Sequence, residues 1–358
     1  MNILFDHQIF SIQKYGGISN YFYNLIQNLE TEKSLNVKIF SPLYINEYIS
    51  NLKSTSVTGL KLNLNKFFLN EFINKTLMNY GISRFKPDII HSTYYNIYDT
   101  KIKKILTVYD MIHEKYPNYF NNQGFTELKK LSCNHADHII CISNNTKIDL
   151  VEKFKIKEEK ISVIYLGADH LNKIESSKKN IEFRFILYVG SRKNYKNFSL
   201  LLNAYKKNKQ LQNDYKIICY GGERVDEITK KEIIDLNIPL KNIIFLKGSD
   251  SDLKNLYEKA SLFVYPSIEE GFGIPPLEAI NLNCPILISN IPVFNEVMGS
   301  NVNYFNSGDE NDLLKQMENI LYNKFDYKNN HKELEILKKK YSWKNCSNKT
   351  KELYNKII

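Results

Sequence analysis

Cysteine gives this chain no covalent scaffold. Its five cysteines, Cys133, Cys141, Cys219, Cys284 and Cys346, are scattered, odd in number and never spaced as CxxC. That excludes a disulfide framework and a structural zinc site, and it fits a reducing compartment. Long apolar runs are missing too. No stretch reaches the roughly 18 residues that a membrane-spanning helix needs. The opening MNILFDHQIF has neither a basic leader nor a long apolar core, so it does not read as a signal peptide. Repeats and low-complexity blocks are absent. So are RNP, zinc and helix-turn-helix signatures, and the basic residues are dispersed. A nucleic-acid-binding protein is therefore a poor reading despite a net charge of +10.

What is present is an ordinary globular composition, 43% hydrophobic and 25% charged, on 358 residues. That length exceeds what one core usually fills, so two domains are expected. The basic balance suits an anionic partner (nucleic acid, a phosphorylated small molecule or an anionic membrane surface), although heavy use of Asn, Lys and Ile throughout accounts for part of it.

Two series of short, β-branched apolar runs organise the chain. The first is VKIFS 37–41, DIIHS 88–92, ILTVY 105–109, HIICI 138–142 and ISVIY 161–165. The second is FILYVG 185–190, YKIICYG 215–221, NIIFL 242–246, LFVYPS 262–267 and PILIS 285–289. Helical patterns lie between them, among them 19–30, 197–208 and 252–260. Strands that are apolar on both faces and alternate with helices predict parallel sheets covered on both sides. Two series predict two doubly wound domains, at 1–170 and 180–340. The polar seam 168–184 reads as a linker. Residues 341–358 read as a closing helix that either stays on the second domain or crosses back to the first.

In open parallel sheets, ligands bind beyond the carboxyl ends of the strands. After FILYV comes GSRKNYKN, where Gly190 permits close backbone approach and Arg192 and Lys196 supply cations suited to a diphosphate. After LFVYPS comes SIEEGFGIPPLEAI. Gly271 and Gly273 free the backbone, Pro275 and Pro276 open a helix, and the amides of Gly271, Phe272, Gly273 and Ile274 face an anion or a sugar. Glu270 and Glu278 are acceptors for hydroxyl groups. Glu278 is expected in the first helical turn, where dipole complementation alone could explain it, and Glu269 is expected to be solvated. Near the N-terminus, KYGGISNYF places Gly16 and Gly17 before a helix, with Ser19 as an N-cap candidate. It is not GxGxxG, so a dehydrogenase is disfavoured. SDSD 249–252 resembles a metal-binding Asp-x-Asp, but Ser and Asp are ordinary helix openers there.

These residues together resemble the family 4 glycosyltransferases, over nearly the whole chain. EEGFGIPPLEA resembles the family's E-x7-E signature, with Glu270 and Glu278 as its acids. YVGSRKNYKNFSLLLNAY is similar to the segment carrying the diphosphate-binding Arg and Lys, here Arg192 and Lys196. YGGISNYFYNL looks like the N-terminal Gly-Gly loop, and CISNNTKIDL, VIYLGAD, LYEKASLFVYPS and ISNIPVFNEVMG fall in the family's order. The resemblance implies the GT-B fold, two Rossmann-like domains facing a central cleft: an acceptor-side domain, a nucleotide-sugar domain, and a final helix from YSW onward that crosses back. One departure is TVYDMIH. Relatives often carry His-Asp where this chain has Tyr109 and Asp110, and His113 is shifted from that place. Asp110 keeps a donor-site role by resemblance, and the Tyr109 hydroxyl is a substitute hydrogen-bond donor.

The implied activity is retaining, metal-independent transfer of a hexose of mannose, glucose or GlcNAc type. The sugar would pass from a nucleoside diphosphate donor to a glycan or lipid-linked acceptor in surface polysaccharide or glycoconjugate synthesis. Glu270, Arg192 and Lys196 are the catalytic candidates; Gly17, Gly190, Glu278, the 271–274 amides and Asp110 are donor contacts. No cofactor, metal or nucleic acid is expected. Competing readings are a sugar-nucleotide epimerase or phosphorylase on the same fold, or a catalytically weak sugar-nucleotide binder. Location is expected in the cytoplasm, peripheral on the inner membrane face. Residues 60–86 carry the candidate surface: Leu64, Phe68, Leu69, Phe72, Ile73 and Leu77 beside Lys61, Lys66, Lys75, Arg84 and Lys86. An interfacial helix and a core-facing helix with a basic outer face both fit this pattern.

Overall fold

The computed structural model describes residues 1–52, 56–62, 67–120, 123–192, 194–222, 224–225, 227–323 and 331–358. They form two compact units, one of 1–167 with 343–358 and one of 168–342.

The first unit holds β1 (Asn2–Phe5), β2 (Asn36–Tyr44), β3 (Val57–Lys61), β4 (Ile89–Ser92), β5 (Lys103–Val108), β6 (His138–Cys141) and β7 (Ile161–Val163). Their order is β3-β2-β1-β4-β5-β6-β7, with every pair parallel. The second unit holds β8 (Phe185–Val189), β9 (Lys216–Tyr220), β10 (Ile243–Leu246), β11 (Leu262–Tyr265), β12 (Ile286–Asn290) and β13 (Asn303–Asn306). Its order is β10-β9-β8-β11-β12-β13, again all parallel. Both units are α/β and doubly wound, and each apolar run read from sequence forms a strand. Central strands are buried on both faces, as in FILYV and LFVY, which is why their sequences show unbroken apolar character. Edge strands β3 and β13 lacked that signal. VTGLK is largely exposed, and in NYFN only Phe305 is buried.

Two segments differ from their sequence reading. The seam 168–184 is strapped to the helix Asp250–Lys259 of the second unit. Ser177 N donates to Ser251 O (3.1 Å), Lys254 Nζ to Ile174 O (2.8 Å) and Asn255 Nδ2 to Lys179 O (3.0 Å). Polar side chains of that helix satisfy the strap's carbonyls, so the segment needs no apolar period of its own. The second difference is the helix Phe67–Phe85, which meets the sheet through Asn74, Met78 and Gly81. Asn74 donates to Leu43 O (2.9 Å) and Ser11 Oγ (2.8 Å), and a Cβ on Gly81 would strike the Phe40 ring. The expected apolar face is turned elsewhere: Phe72 and Leu77 are exposed, with Tyr80 beside them. Leu64 and Lys66, and the side chains of Phe68 and Leu69, lie outside the described residues.

The helix Trp343–Ile357 packs on the helix Gly17–Leu29 within the first unit. Tyr354 OH and Thr107 Oγ1 sandwich the His91 ring at 2.7 and 2.8 Å. Trp343 packs near Tyr21, with ring centroids 6.1 Å apart.

Candidate functional site

In the second sheet the strand order reverses between β8 and β11. The loops that leave these two strands carry most of the residues singled out by sequence. Gly190, directly after β8, has φ 116°, and a Cβ there would meet nothing within 4 Å. The backbone angle demands glycine, while the space above stays open for an approaching group. Arg192 follows, buried, with Nη1 donating to Gly221 O (3.1 Å) and its guanidinium 5.2 Å from the Phe245 ring centroid. Gly221 and Gly222, after β9, have φ 78° and 67°, and a Cβ on Gly222 would come 2.4 Å from Gly190 O. These two glycines interlock with the Gly190 loop. Sequence reasoning passed over them, although YGG after an apolar run is the signal that flagged Gly190.

Lys196 closes the same loop. Its Nζ lies 2.6 Å from Glu270 Oε1 and 2.9 Å from Tyr265 OH. Ser267 Oγ donates to the same Glu270 oxygen at 2.7 Å. Ile268 N donates to Tyr195 O (2.8 Å), which ties the two loops together. The sequence reading gave Lys196 and Glu270 to different parts of one ligand; the fold joins them as a largely buried ion pair. Glu269, expected to be solvated, is buried as well, because residues 269–273 pack down on the strand end.

Gly273 caps the helix Ile274–Asn281 with φ 106°, and a Cβ there would sit 2.7 Å from the Phe294 ring. Pro275 and Pro276 stand in the first turn, where no amide hydrogen is required. Phe272 is buried edge-on to Tyr341, so only its main chain is offered to the loop. Glu278 does not lie in the first turn as expected; counted from Ile274 it belongs to the second. Dipole complementation therefore does not explain it. Its Oε2 accepts from Tyr257 OH (3.0 Å) and its Oε1 stands 3.3 Å from His170 Nε2. Burial pushes the Glu278 carboxyl up to about 7, with the Tyr257 hydrogen bond opposing and Asp250 adding to the rise. Burial likewise lowers His170 to about 4. Asn281 Nδ2 donates to Ala168 O (3.0 Å), which brings the strap with His170 against this helix. His170 and Tyr257 were not legible, since the first sits in a polar seam and the second in an amphipathic helix.

The remaining candidates belong to the first unit. Gly17 is the first residue of its helix, and a Cβ there would meet nothing within 4 Å. The N-cap is Gly16 rather than Ser19, whose Oγ donates to Gly16 O (3.0 Å). The Gln13 side chain takes the capping role and accepts from Ser19 N at 3.2 Å. Asp110 Oδ1 accepts from Ile112 N (3.1 Å), and its carbonyl accepts from Lys129 Nζ (2.6 Å). Tyr109 is buried and its hydroxyl donates to Thr93 O (3.0 Å). That hydrogen is committed to the protein, which corrects the idea of a substitute sugar contact. His113 packs against the rings of Phe120 and Phe125.

Asp252 forms a capping box with Ser249 and pairs with Lys179 at 2.8 Å. Among the described residues no group of three or more His, Cys, Asp or Glu is placed to hold a metal ion. Nor, among them, is any helix long and apolar enough to cross a membrane.

Comparison with known proteins covers both units. The family description "Glycosyltransferase Family 4" matches residues 15–170, and "Glycosyl transferases group 1" matches 169–339. The O-antigen chain mannosyltransferase RfbU of Salmonella typhimurium is 34% identical over 218 residues, 60% of each chain. The serotype-specific mannosyltransferase WbdA of Escherichia coli is 26% identical over 309 residues, 78% of this chain and 38% of that one. The chain thus spans less than two thirds of these two relatives. Among solved structures, a glycosyltransferase from Rickettsia africae superposes with a TM-score of 0.73 at 20% identity, covering 99% of this chain and 98% of the other.

Proposed function

The chain belongs to the family 4 glycosyltransferases, with the GT-B fold, and on that footing we propose that it transfers a hexose from a nucleoside diphosphate sugar to a glycan or lipid-linked acceptor. Mannose is the first sugar to test, because the relatives above are mannosyltransferases by name. The observation that carries this reading is that Arg192 and the Lys196–Glu270 pair leave the two strands where the second sheet reverses, with Glu278 on the helix that follows the second of them.

In this proposal Arg192 and Lys196 neutralise charge on the departing diphosphate. Glu270, paired with Lys196, and the 271–274 amides orient the sugar hydroxyls. Glu278 accepts from the ribose. Gly17 lets the backbone of the first unit come close to phosphate, and Asp110 contributes from the loop after β5. The sugar keeps its anomeric configuration without a protein nucleophile. A leaving diphosphate oxygen takes the acceptor hydroxyl's proton on the face where the new glycosidic bond forms and the C1–phosphate bond breaks. No metal takes part. The enzyme works at the inner membrane face in surface polysaccharide synthesis, and the exposed Phe72, Leu77 and Tyr80 beside Lys75 and Arg84 support that placement.

The test is product analysis with GDP-mannose, UDP-glucose and UDP-N-acetylglucosamine, each with a mannose-terminated lipid-linked acceptor, with and without chelator. Transfer with retained configuration that survives chelation supports the proposal. An inverted product, or donor isomerisation without transfer, overturns it.

A further inference from the structure

We propose that His170 is a positioning residue of the donor site: its ring holds one oxygen of Glu278 while the Tyr257 hydroxyl holds the other, fixing the carboxylate that meets the ribose. The inference rests on the reading of Glu278 as the ribose acceptor and goes beyond it in naming what aims that acceptor. His170 comes from the short helical turn His170–Lys173 in the strap that precedes β8, far in sequence from the E-x7-E block. Its Nε2 stands 3.3 Å from Glu278 Oε1, and Tyr257 OH donates to Oε2 at 3.0 Å. All three side chains are nearly enclosed, with the His170 and Glu278 side chains 9% and 7% exposed. The strap is clamped in place by Asn281 Nδ2 on Ala168 O and by Lys254 Nζ on Ile174 O.

The chemistry of the carboxylate explains why two holders matter. Above pH 7, where the Glu278 carboxyl is ionised, it offers about four lone-pair positions, two on each oxygen. Tyr257 occupies one on Oε2, and in this proposal His170 carries its ring proton on Nε2 and occupies one on Oε1. One acceptor position is left on each oxygen, side by side. Two adjacent acceptors match the two vicinal hydroxyls of a ribose, and a sugar lacking one of them leaves a buried acceptor unsatisfied. Without His170 only Tyr257 holds the carboxylate, so the matched pair of acceptors is no longer fixed.

The experiment measures the affinity of GDP and UDP, and of their 2′-deoxy counterparts, for the full chain and for His170→Ala, His170→Gln and Glu278→Gln. Donor KM and kcat are followed alongside. Wild type should prefer the ribonucleotide by at least about tenfold, and H170A should lose most of that preference, in line with the worth of one hydrogen bond to a charged group. Glutamine places an N–H near the Nε2 position, so H170Q should recover the preference to within about threefold. Donor KM should rise in H170A with kcat within about twofold. If E278Q retains the ribose preference, the reading of Glu278 itself falls, and this inference with it. If E278Q loses the preference and H170A keeps it, Glu278 stands and the role of His170 is overturned. Failure of both nucleotides to bind wild type overturns the donor site as a whole.

Discussion

Lys196 Nζ and Glu270 Oε1 are 2.6 Å apart, and the Tyr265 and Ser267 hydroxyls brace the pair from either side. A cation suited to phosphate and an acid suited to sugar hydroxyls are thus one unit before any ligand arrives. The lysine and both hydroxyls meet at Oε1 and the Tyr265 oxygen, which leaves the second carboxylate oxygen for other partners. Replacing either member leaves the other as a poorly compensated charge with little exposure. Lys196→Met and Glu270→Gln should each lower kcat/KM by about 10²–10³ and stability by ~1–3 kcal/mol. The double variant should be no less stable than the weaker single one. A thermodynamic cycle from chemical denaturation checks this, and strictly additive losses would show that the two residues act separately.

Glu278 and His170 give opposite pH signatures. The Glu278 carboxyl sits at about 7 in the folded chain against an ordinary 4.5. Its contribution to stability is complete below pH 4.5 and is lost as pH rises toward 7. His170 sits at about 4 against 6.5, so its contribution is complete above pH 6.5 and is lost as pH falls toward 4. Across the overlap the two slopes cancel in wild type. Relative to wild type, Glu278→Gln should therefore gain stability as pH rises from 4.5 to 7. His170→Gln should lose it from 4 to 6.5. Melting temperatures at half-unit pH steps test both; parallel curves for all three proteins would show that neither group titrates as its burial dictates.

Two of the candidate glycines, one in each unit, separate structural need from open space. Gly273 combines φ 106° with the Phe294 ring 2.7 Å from a would-be Cβ, so Gly273→Ala should cost ~1–3 kcal/mol of stability. Gly17→Ala meets no neighbour and should leave stability within ~0.5 kcal/mol. If the proposed function holds, its effect should appear in donor affinity instead. Titration with a nucleoside diphosphate beside thermal unfolding separates the outcomes, and an unstable G17A with normal affinity would reverse the assignment.

Tyr109→Phe removes only the hydrogen bond to Thr93 O. Stability should drop by about 1 kcal/mol with donor affinity unchanged. A tenfold weaker donor would return this hydroxyl to the site.

The outward face of the helix Phe67–Phe85 predicts a surface effect. Phe72→Ser with Tyr80→Ser should leave the melting temperature unchanged, because both rings are exposed. It should reduce sedimentation with anionic vesicles at low salt. Equal sedimentation of both proteins would remove this face from the proposal.

The strand runs and the two glycine-rich loops were legible because each buried parallel strand is apolar on both faces and each loop follows one directly. GSRK after FILYV and EEGFG after LFVYPS needed no more than that. Other features depended on tertiary packing. The Lys196–Glu270 pair joins residues 74 apart in sequence. Glu278 reads as a first-turn acid when the two prolines open the helix, whereas Ile274 opens it. His170 lay in a segment with no apolar period because its carbonyls are served by lysine, serine and asparagine of a neighbouring helix. Phe72 and Leu77 followed the helical period, yet Asn74 and Met78 took the sheet side.

The helix Trp343–Ile357 carries a consequence for biosynthesis. The second unit is one uninterrupted stretch, 168–342, and can close while the chain is still being made. The first unit cannot. His91, near its centre, is bracketed by Thr107 and by Tyr354, the latter 263 residues downstream. Until Tyr354 has left the ribosome, the groove of the helix Gly17–Leu29 is bare, so the half of the protein that is translated first is the half that is completed last.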